Sequence, residues 1–249
     1  YLAAKDGAQV RKNIALHVSE MVKASDVLMA DCKIDGNTLS VNHLPTKSWI
    51  IPLSSSNART QKSKEGLNGS VLIDETHVVD RSFVGRISRA GISRDEPLHA
   101  EFSTAGDDPS SYGKERFDFA CKVISGEVQN QGMFAAVYAV PQDTKDEDIE
   151  ADPMKFARMA NPALGHTVDF EEFLHDMQQS KVSLHDFGQF KMYRLNVWQS
   201  SSSPYLRMSD WSNCEREFTE HDMLGLPCAI GFDMALKWDT TAIVCVFPW

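Results

Sequence analysis

The 249-residue sequence predicts an α/β fold built on a mostly parallel sheet, and three observations carry that expectation. Val71-Leu72-Ile73 is a short, wholly apolar run ending in Asp74-Glu75, the pattern of a strand buried on both faces. Two further apolar runs, 98–102 and 133–140, alternate with helix-patterned segments, and such alternation implies parallel strands with crossover helices. The composition, 42% hydrophobic and 24% charged, is that of an ordinary globular protein long enough to bury a sizeable core.

Residues 1–4 read as the tail of a strand. Residues 7–24 form an amphipathic helix, with Val10, Ile14, Val18 and Met21 at helical spacing. Residues 38–41 and 49–53 read as a hairpin across Leu44-Pro45-Thr46-Lys47. The polar stretch 54–69 is an exposed loop leading into the acidic strand. A short helix over 82–90 precedes the strand 98–102, which runs out into Ser103-Thr104-Ala105-Gly106. A helix over 109–125 closes at Gly126, a residue suited to a left-handed C-cap. The run 133–140 is a third strand, and the acidic residues 142–152 are an exposed loop.

Asp152-Pro153 opens the next helix with a cap and a proline at its first position, and that helix stops at Asn161-Pro162. Asp169 with Glu172 has the form of a capping box ahead of the apolar face of Phe170, Phe173, Leu174 and Met177. Ser183 opens a helix running to about Leu195. Gln199-Ser200-Ser201-Ser202-Ser203-Pro204 is the best linker in the chain, because serine runs lack packing groups. Beyond it, 228–233 and 241–247 read as two strands joined by a tight connection.

Several function classes are excluded or disfavoured. No apolar run approaches the roughly 20 residues of a membrane span, and the N-terminus lacks a signal-peptide pattern. The five cysteines are scattered, without CxxC or Cys/His clustering, which disfavours zinc and fits reduced thiols. A net charge of −10 argues against indiscriminate coating of nucleic acid but leaves room for a local basic groove. The start at Tyr1 and the end at Trp249 just after a strand-like run suggest an internal piece of a longer protein.

The acidic pair is the leading candidate site. Ligand sites in α/β sheets lie at the carboxyl ends of the strands. There Asp74 could hold Mg²⁺ and Glu75 could orient an attacking water, the division of labour in nucleotide hydrolases. An N-capping Asp after an apolar strand is the plainer account. Ser103-Thr104-Ala105-Gly106 ends the next strand, where hydroxyls can sense nucleotide state; a simple Ser/Thr/Gly turn is the alternative. Asp233 ends one late strand and Asp239 precedes another, as in two-metal nucleases, though strand end and turn cap also describe them.

Taken together, Gly66-Leu67-Asn68, Asp74-Glu75-Thr76-His77, Pro97-Leu98, Ser103-Thr104-Ala105-Gly106, Asn161-Pro162-Ala163-Leu164-Gly165, Arg194-Leu195-Asn196-Val197-Trp198, Gly231-Phe232-Asp233-Met234-Ala235 and Asp239-Thr240-Thr241-Ala242 resemble, in order, the large terminase subunit of tailed bacteriophages. The resemblance implies a P-loop (ASCE-type) ATPase core over 1–141, a helical linker or lid region over 142–204, and the start of an RNase H-like nuclease domain over 205–249. It implies ATP-driven translocation of viral double-stranded DNA into a procapsid and endonucleolytic cutting of concatemers. By it Asp74 is the magnesium acid, Glu75 the water-activating residue, Ser103 and Thr104 the coupling motif, and Asp233 the first nuclease metal ligand. Asp239 is a further acid of uncertain role. ATP, Mg²⁺ (or Mn²⁺ at the nuclease), the portal protein, the small terminase subunit and a homo-oligomeric ring are implied, in the host cytoplasm and without a membrane.

Two departures accompany the resemblance. Nowhere is there a GxxxxGK[ST] phosphate loop; Gly106 through Gly113-Lys114-Glu115 has the wrong spacing and a glutamate that would repel phosphate. In the family that loop precedes the segment matching Tyr1, and further nuclease acids are expected beyond Trp249, so the chain alone should be inactive in both reactions. Asp31–Asn42 begins like a calcium loop but carries Lys33 at a ligand position, and a hairpin turn describes it better. Arg81, Arg86, Arg89 and Arg94, with Arg59, Lys62 and Lys64, are candidates for a trans-acting cation or a DNA-lining surface, or they form a solvated face. A DEAH-like helicase and a catalytically dead assembly scaffold are the alternative readings.

Overall fold

A computed structural model describes residues 1–55, 67–89, 91–200, 213–234 and 241–247. The chain divides into two compact units, Tyr1–Ser203 and Pro204–Trp249.

The first unit is mixed α/β around a parallel sheet, as its alternating pattern implied. Strands β1 (Leu2–Ala4), β5 (Pro52–Ser54), β6 (Val71–Ile73) and β7 (His99–Glu101) pair in the order β5-β1-β6-β7, every pair parallel. Ala3 sits between Leu53 and Ile73, and Ile73 pairs with Glu101, so all four carboxyl ends lie along one edge. The strands read as apolar runs because helices cover the sheet: Ala3, Val71 and Ile73 are at most 1% exposed. Val79, Phe83, Val84 and Ile87 complete that core from the segment after β6 and from helix α3 (Arg81–Ile87).

Between β1 and β5 runs a long helix α1 (residues 7–23), π-helical over Val10–Ala15, which packs Val10 against Leu2 and Ala4. Then come α2 (Asp26–Asp31) and an antiparallel sheet of β2 (Cys32–Ile34), β3 (Val41–His43) and β4 (Ser48–Ile50). The expected single strand 49–53 is therefore two strands in two sheets, because Ile51 and Pro52 turn the chain from the antiparallel layer into the parallel one. The calcium-like stretch is the β2–β3 turn: Asp35 Oδ1 accepts from the N–H groups of Asn37 and Thr38, at 2.8 and 3.0 Å.

Helix α4 (Tyr112–Ile124) ends at Ser125, and Gly126 follows at φ 79°, as its position suggested. The stretch 133–140 is not a strand among the described residues. Its backbone turns instead toward the helices that follow, with Val140 N–H donating to Leu195 and the carbonyl of Tyr138 accepting from Asn196. The acidic loop expected at 142–152 contains helix α5 (Asp146–Ala151), which has three acids in its first turn and a fully buried Ile149. Helices α6 (Pro153–Ala160), α7 (Phe170–Ser180) and α8 (Leu184–Leu195) begin on side-chain caps from Asp152, Asp169 and Ser183. They bury Phe156, Phe173, Phe187, Phe190 and Leu195 in a separate core.

The second unit contains an antiparallel hairpin, β8 (Ala229–Asp233) with β9 (Ala242–Val246), close to the strands expected there. Most of the serine linker and Asp239 fall outside the described residues.

Candidate active site at the carboxyl edge of the sheet

Asp74 continues β6: its N–H donates to the Ala3 carbonyl at 2.8 Å, so the carboxylate leaves the sheet at the end of a central strand. Burial pushes its pKa up, and the neighbouring Glu75 charge adds to the rise. Glu75 then takes a left-handed backbone, φ 53° and ψ 51°, a conformation costing a non-glycine residue on the order of 1 kcal/mol. Its neighbour enforces the bend. Thr76, 1% exposed, donates both its N–H and its hydroxyl to the Phe102 carbonyl, at 3.1 and 3.2 Å, clamping the turn to the end of β7.

His77 lies beside that turn. Its backbone N–H donates to Ser103 Oγ at 3.0 Å, and its ring Nδ1 is 3.2 Å from the same oxygen and 3.1 Å from Glu75 Oε2. This contact holds the Glu75 carboxyl below its ordinary pKa despite partial burial. Two glycines make the space. A Cβ on Gly113 would come 2.4 Å from His77 Cα, and one on Gly106 would come 3.1 Å from the ring.

The segment 103–106 is joined in turn to the end of α8. Ala105 N–H donates to Asn196 Oδ1 at 3.4 Å, and the Gly106 carbonyl accepts from Gln199 N–H at 3.1 Å. Asn196 itself adopts a left-handed backbone, φ 53°, and its amide donates to the Tyr138 carbonyl at 2.8 Å. Trp198 packs with Ala105, Met192 and Phe117, and approaches the Gly106 Cβ position to 3.2 Å.

The structure thus brings Asp74, Glu75, Ser103 and Thr104 to one edge. The two hydroxyl residues differ: Ser103 bonds to the acidic turn, while exposed Thr104 supplies its carbonyl, which accepts from Ser103 Oγ at 2.9 Å. Contacts of Asn196, Trp198 and Gly113 with this edge were not foreseen, because nothing in their local sequence announces a neighbour so far along the chain.

Glu101 anchors the flank. His99 Nε2 lies 2.9 Å from its carboxylate, which accepts from Tyr112 hydroxyl at 3.0 Å and Arg116 Nε at 3.1 Å. Burial alone would raise its pKa, but these partners hold it below the usual range. Arg81 pairs with Glu115 and lies over the Tyr112 ring, Arg94 bonds to Asn68, and Arg86 and Arg89 are exposed. Arg59, Lys62 and Lys64 lie outside the described residues. The Gly113-Lys114 decoy is helical, with Lys114 paired to Asp118 rather than facing a phosphate.

In the second unit Asp233 closes β8 opposite Ala242. Among the described residues no group of three or more His, Cys, Asp or Glu side chains could hold a metal. Nor is any described helix long and apolar enough to cross a membrane.

Residues 127–249 match the family model described as terminase large subunit, endonuclease domain. As its motifs suggested, the chain is similar to the bacteriophage large terminase subunits. Its fold is similar to the crystal structure of the HK97 bacteriophage large terminase, with a TM-score of 0.64 at 21% identity over 99% of this chain and 48% of that one. The large terminase of the thermophilic bacteriophage D6E is similar at a TM-score of 0.51 and 12% identity, over 80% of this chain and 40% of that one. Protein YmfN of Escherichia coli K12 is 27% identical over 215 residues, 84% of this chain and 44% of that protein. The chain therefore spans less than half the length of each of these relatives.

Proposed function

We propose that the protein is the large subunit of a DNA-packaging motor, hydrolysing ATP to drive viral double-stranded DNA into a procapsid and cutting concatemers with an attached endonuclease. The observation that carries the ATPase half is Asp74-Glu75 at the carboxyl end of β6, with Ser103 bonded to the same turn from β7. The match over 127–249 carries the nuclease half. Residues 1–141 are assigned to the ATPase domain, 142–204 to a helical lid, and 205–249 to the start of an RNase H-like domain. The phosphate-binding loop is not among these 249 residues, so the proposal concerns a full-length protein.

The residues present fit a nucleotide-bound Mg²⁺. That ion keeps several waters and needs only one or two protein carboxylates beside the phosphates, and Asp74 offers one, already partly desolvated. Held by Asp74, the ion would neutralise charge developing on the phosphates. Glu75 orients a water by accepting its proton-bearing face, and Ser103 with Thr104 passes the state of the site onward. At the nuclease, Asp233 supplies one carboxylate, and Asp239 is a further acid of uncertain role. Two acids alone do not close a two-metal site.

The implied partners are viral double-stranded DNA, the portal protein, the small terminase subunit and further copies of the subunit in a ring, within the host cytoplasm and transiently on the procapsid. The test is Glu75→Gln in the full-length protein. It keeps size and hydrogen bonding, so ATP still binds, while turnover and packaging fall by orders of magnitude. Near-normal ATP turnover in the purified variant would remove the assignment.

A further inference from the structure

Resting on the reading of Glu75 as the water-orienting acid, we propose that His77 is a positioning residue that shares one proton between Glu75 and Ser103. The acid's orientation then follows the coupling segment. The hydrogen bonds around Ser103 and the adjacent carboxylate together assign the ring hydrogen. Its hydroxyl hydrogen is donated to the Thr104 carbonyl at 2.9 Å, and its oxygen already accepts from the His77 backbone N–H at 3.0 Å. With its hydroxyl hydrogen assigned to that carbonyl, Ser103 Oγ accepts from the His77 ring 3.2 Å away, which places the hydrogen on Nδ1.

The same Nδ1 lies 3.1 Å from Glu75 Oε2, and an ionised carboxylate oxygen is also only an acceptor. One N–H thus faces two acceptors. Glu75 Oε2 is enclosed, and its 3.1 Å contact with Nδ1 falls short of full hydrogen-bond alignment, so in this arrangement Ser103 holds the aligned share of the proton while the carboxylate is held by charge. Movement of Ser103 away from the ring hands that share to Glu75 and redirects its carboxylate. The ring has little freedom to do anything else, since Gly113 and Gly106 let helix α4 and the coupling segment close on it.

Two substitutions in the full-length protein separate this role from packing. His77→Asn retains an N–H near the Nδ1 position without the ring; His77→Phe retains the ring without the N–H. The Phe variant is expected to lose about tenfold or more in kcat for ATP at unchanged KM, and the Asn variant to stay within about threefold of wild type. A Phe variant as active as wild type, or an Asn variant as slow as Phe, overturns the proposal. Glu75→Gln measured alongside distinguishes the two levels. An active Glu75→Gln removes the ATPase reading itself, whereas an inactive one beside an active His77→Phe removes only the shared proton.

Discussion

Gly113 and His77 are in backbone contact: a side chain on Gly113 would begin 2.4 Å from the His77 Cα and 2.7 Å from its nitrogen. Two effects of Gly113→Ala therefore oppose each other. Alanine favours a helix interior over glycine by about 1 kcal/mol. The clash is with backbone that cannot rotate away, and overpacking of this kind costs about 1–3 kcal/mol. The clash wins. We expect a lower unfolding midpoint and impaired ATP turnover in the full-length protein; a stabilised, active variant would contradict the contact.

Asn196 ties the coupling segment to the helical region, so Asn196→Ala should loosen transmission more than hydrolysis. Removing its two hydrogen bonds leaves the Tyr138 carbonyl and the Ala105 N–H without their partner, at about 1–3 kcal/mol in stability. Asn196→Gly, which suits the left-handed backbone but lacks the amide, should share the defect. Thr104→Ala should behave similarly, with ATPase partly preserved and DNA moved per ATP reduced. Unchanged coupling ratios in all three would separate this joint from translocation.

Glu101→Gln should change how the fold responds to acid. The folded-state pKa of Glu101 is depressed, so its charge stabilises fully above its ordinary value of 4.5, and that contribution is lost as pH falls below it. Over the acid interval below pH 4.5 the wild-type protein should lose stability more steeply than the variant. Denaturation midpoints across that interval make the comparison, and parallel curves would count against the network.

Asp233→Asn in the full-length protein should abolish DNA cleavage and leave ATPase activity largely intact, because the two acids sit in different units of the chain. Cleavage and ATPase assays on one preparation decide it. Retained cleavage would make Asp233 structural, and joint loss would couple the two units.

Much of this architecture was legible from pattern. Val71-Leu72-Ile73 announced a parallel strand because burial on both faces demands an uninterrupted apolar run, and the acids follow directly. The stretch 133–140 has the same composition, but a strand exists only by pairing, and among the described residues its hydrogen bonds go to Leu195 and Asn196. The strand expected over 49–53 hid the passage from β4 to β5, because a continuous apolar run does not show which sheet each half pairs with, and α5 is too short for a helical period to show. Asp74 and Glu75 stood out by adjacency. The joint made by Gly106, Gly113, His77 and Asn196 did not, because its signal is the space between distant segments and not a spacing along the chain.

The left-handed turn at Glu75 separates two kinds of fitness at a single position. Glycine and asparagine are at ease at φ 53°, whereas glutamate is not. Replacing Glu75 by either would relax the backbone and discard the carboxylate, giving a sturdier turn that does no work. Directed evolution for heat resistance alone should drift toward such replacements, and selection for packaging should restore glutamate at the expense of robustness.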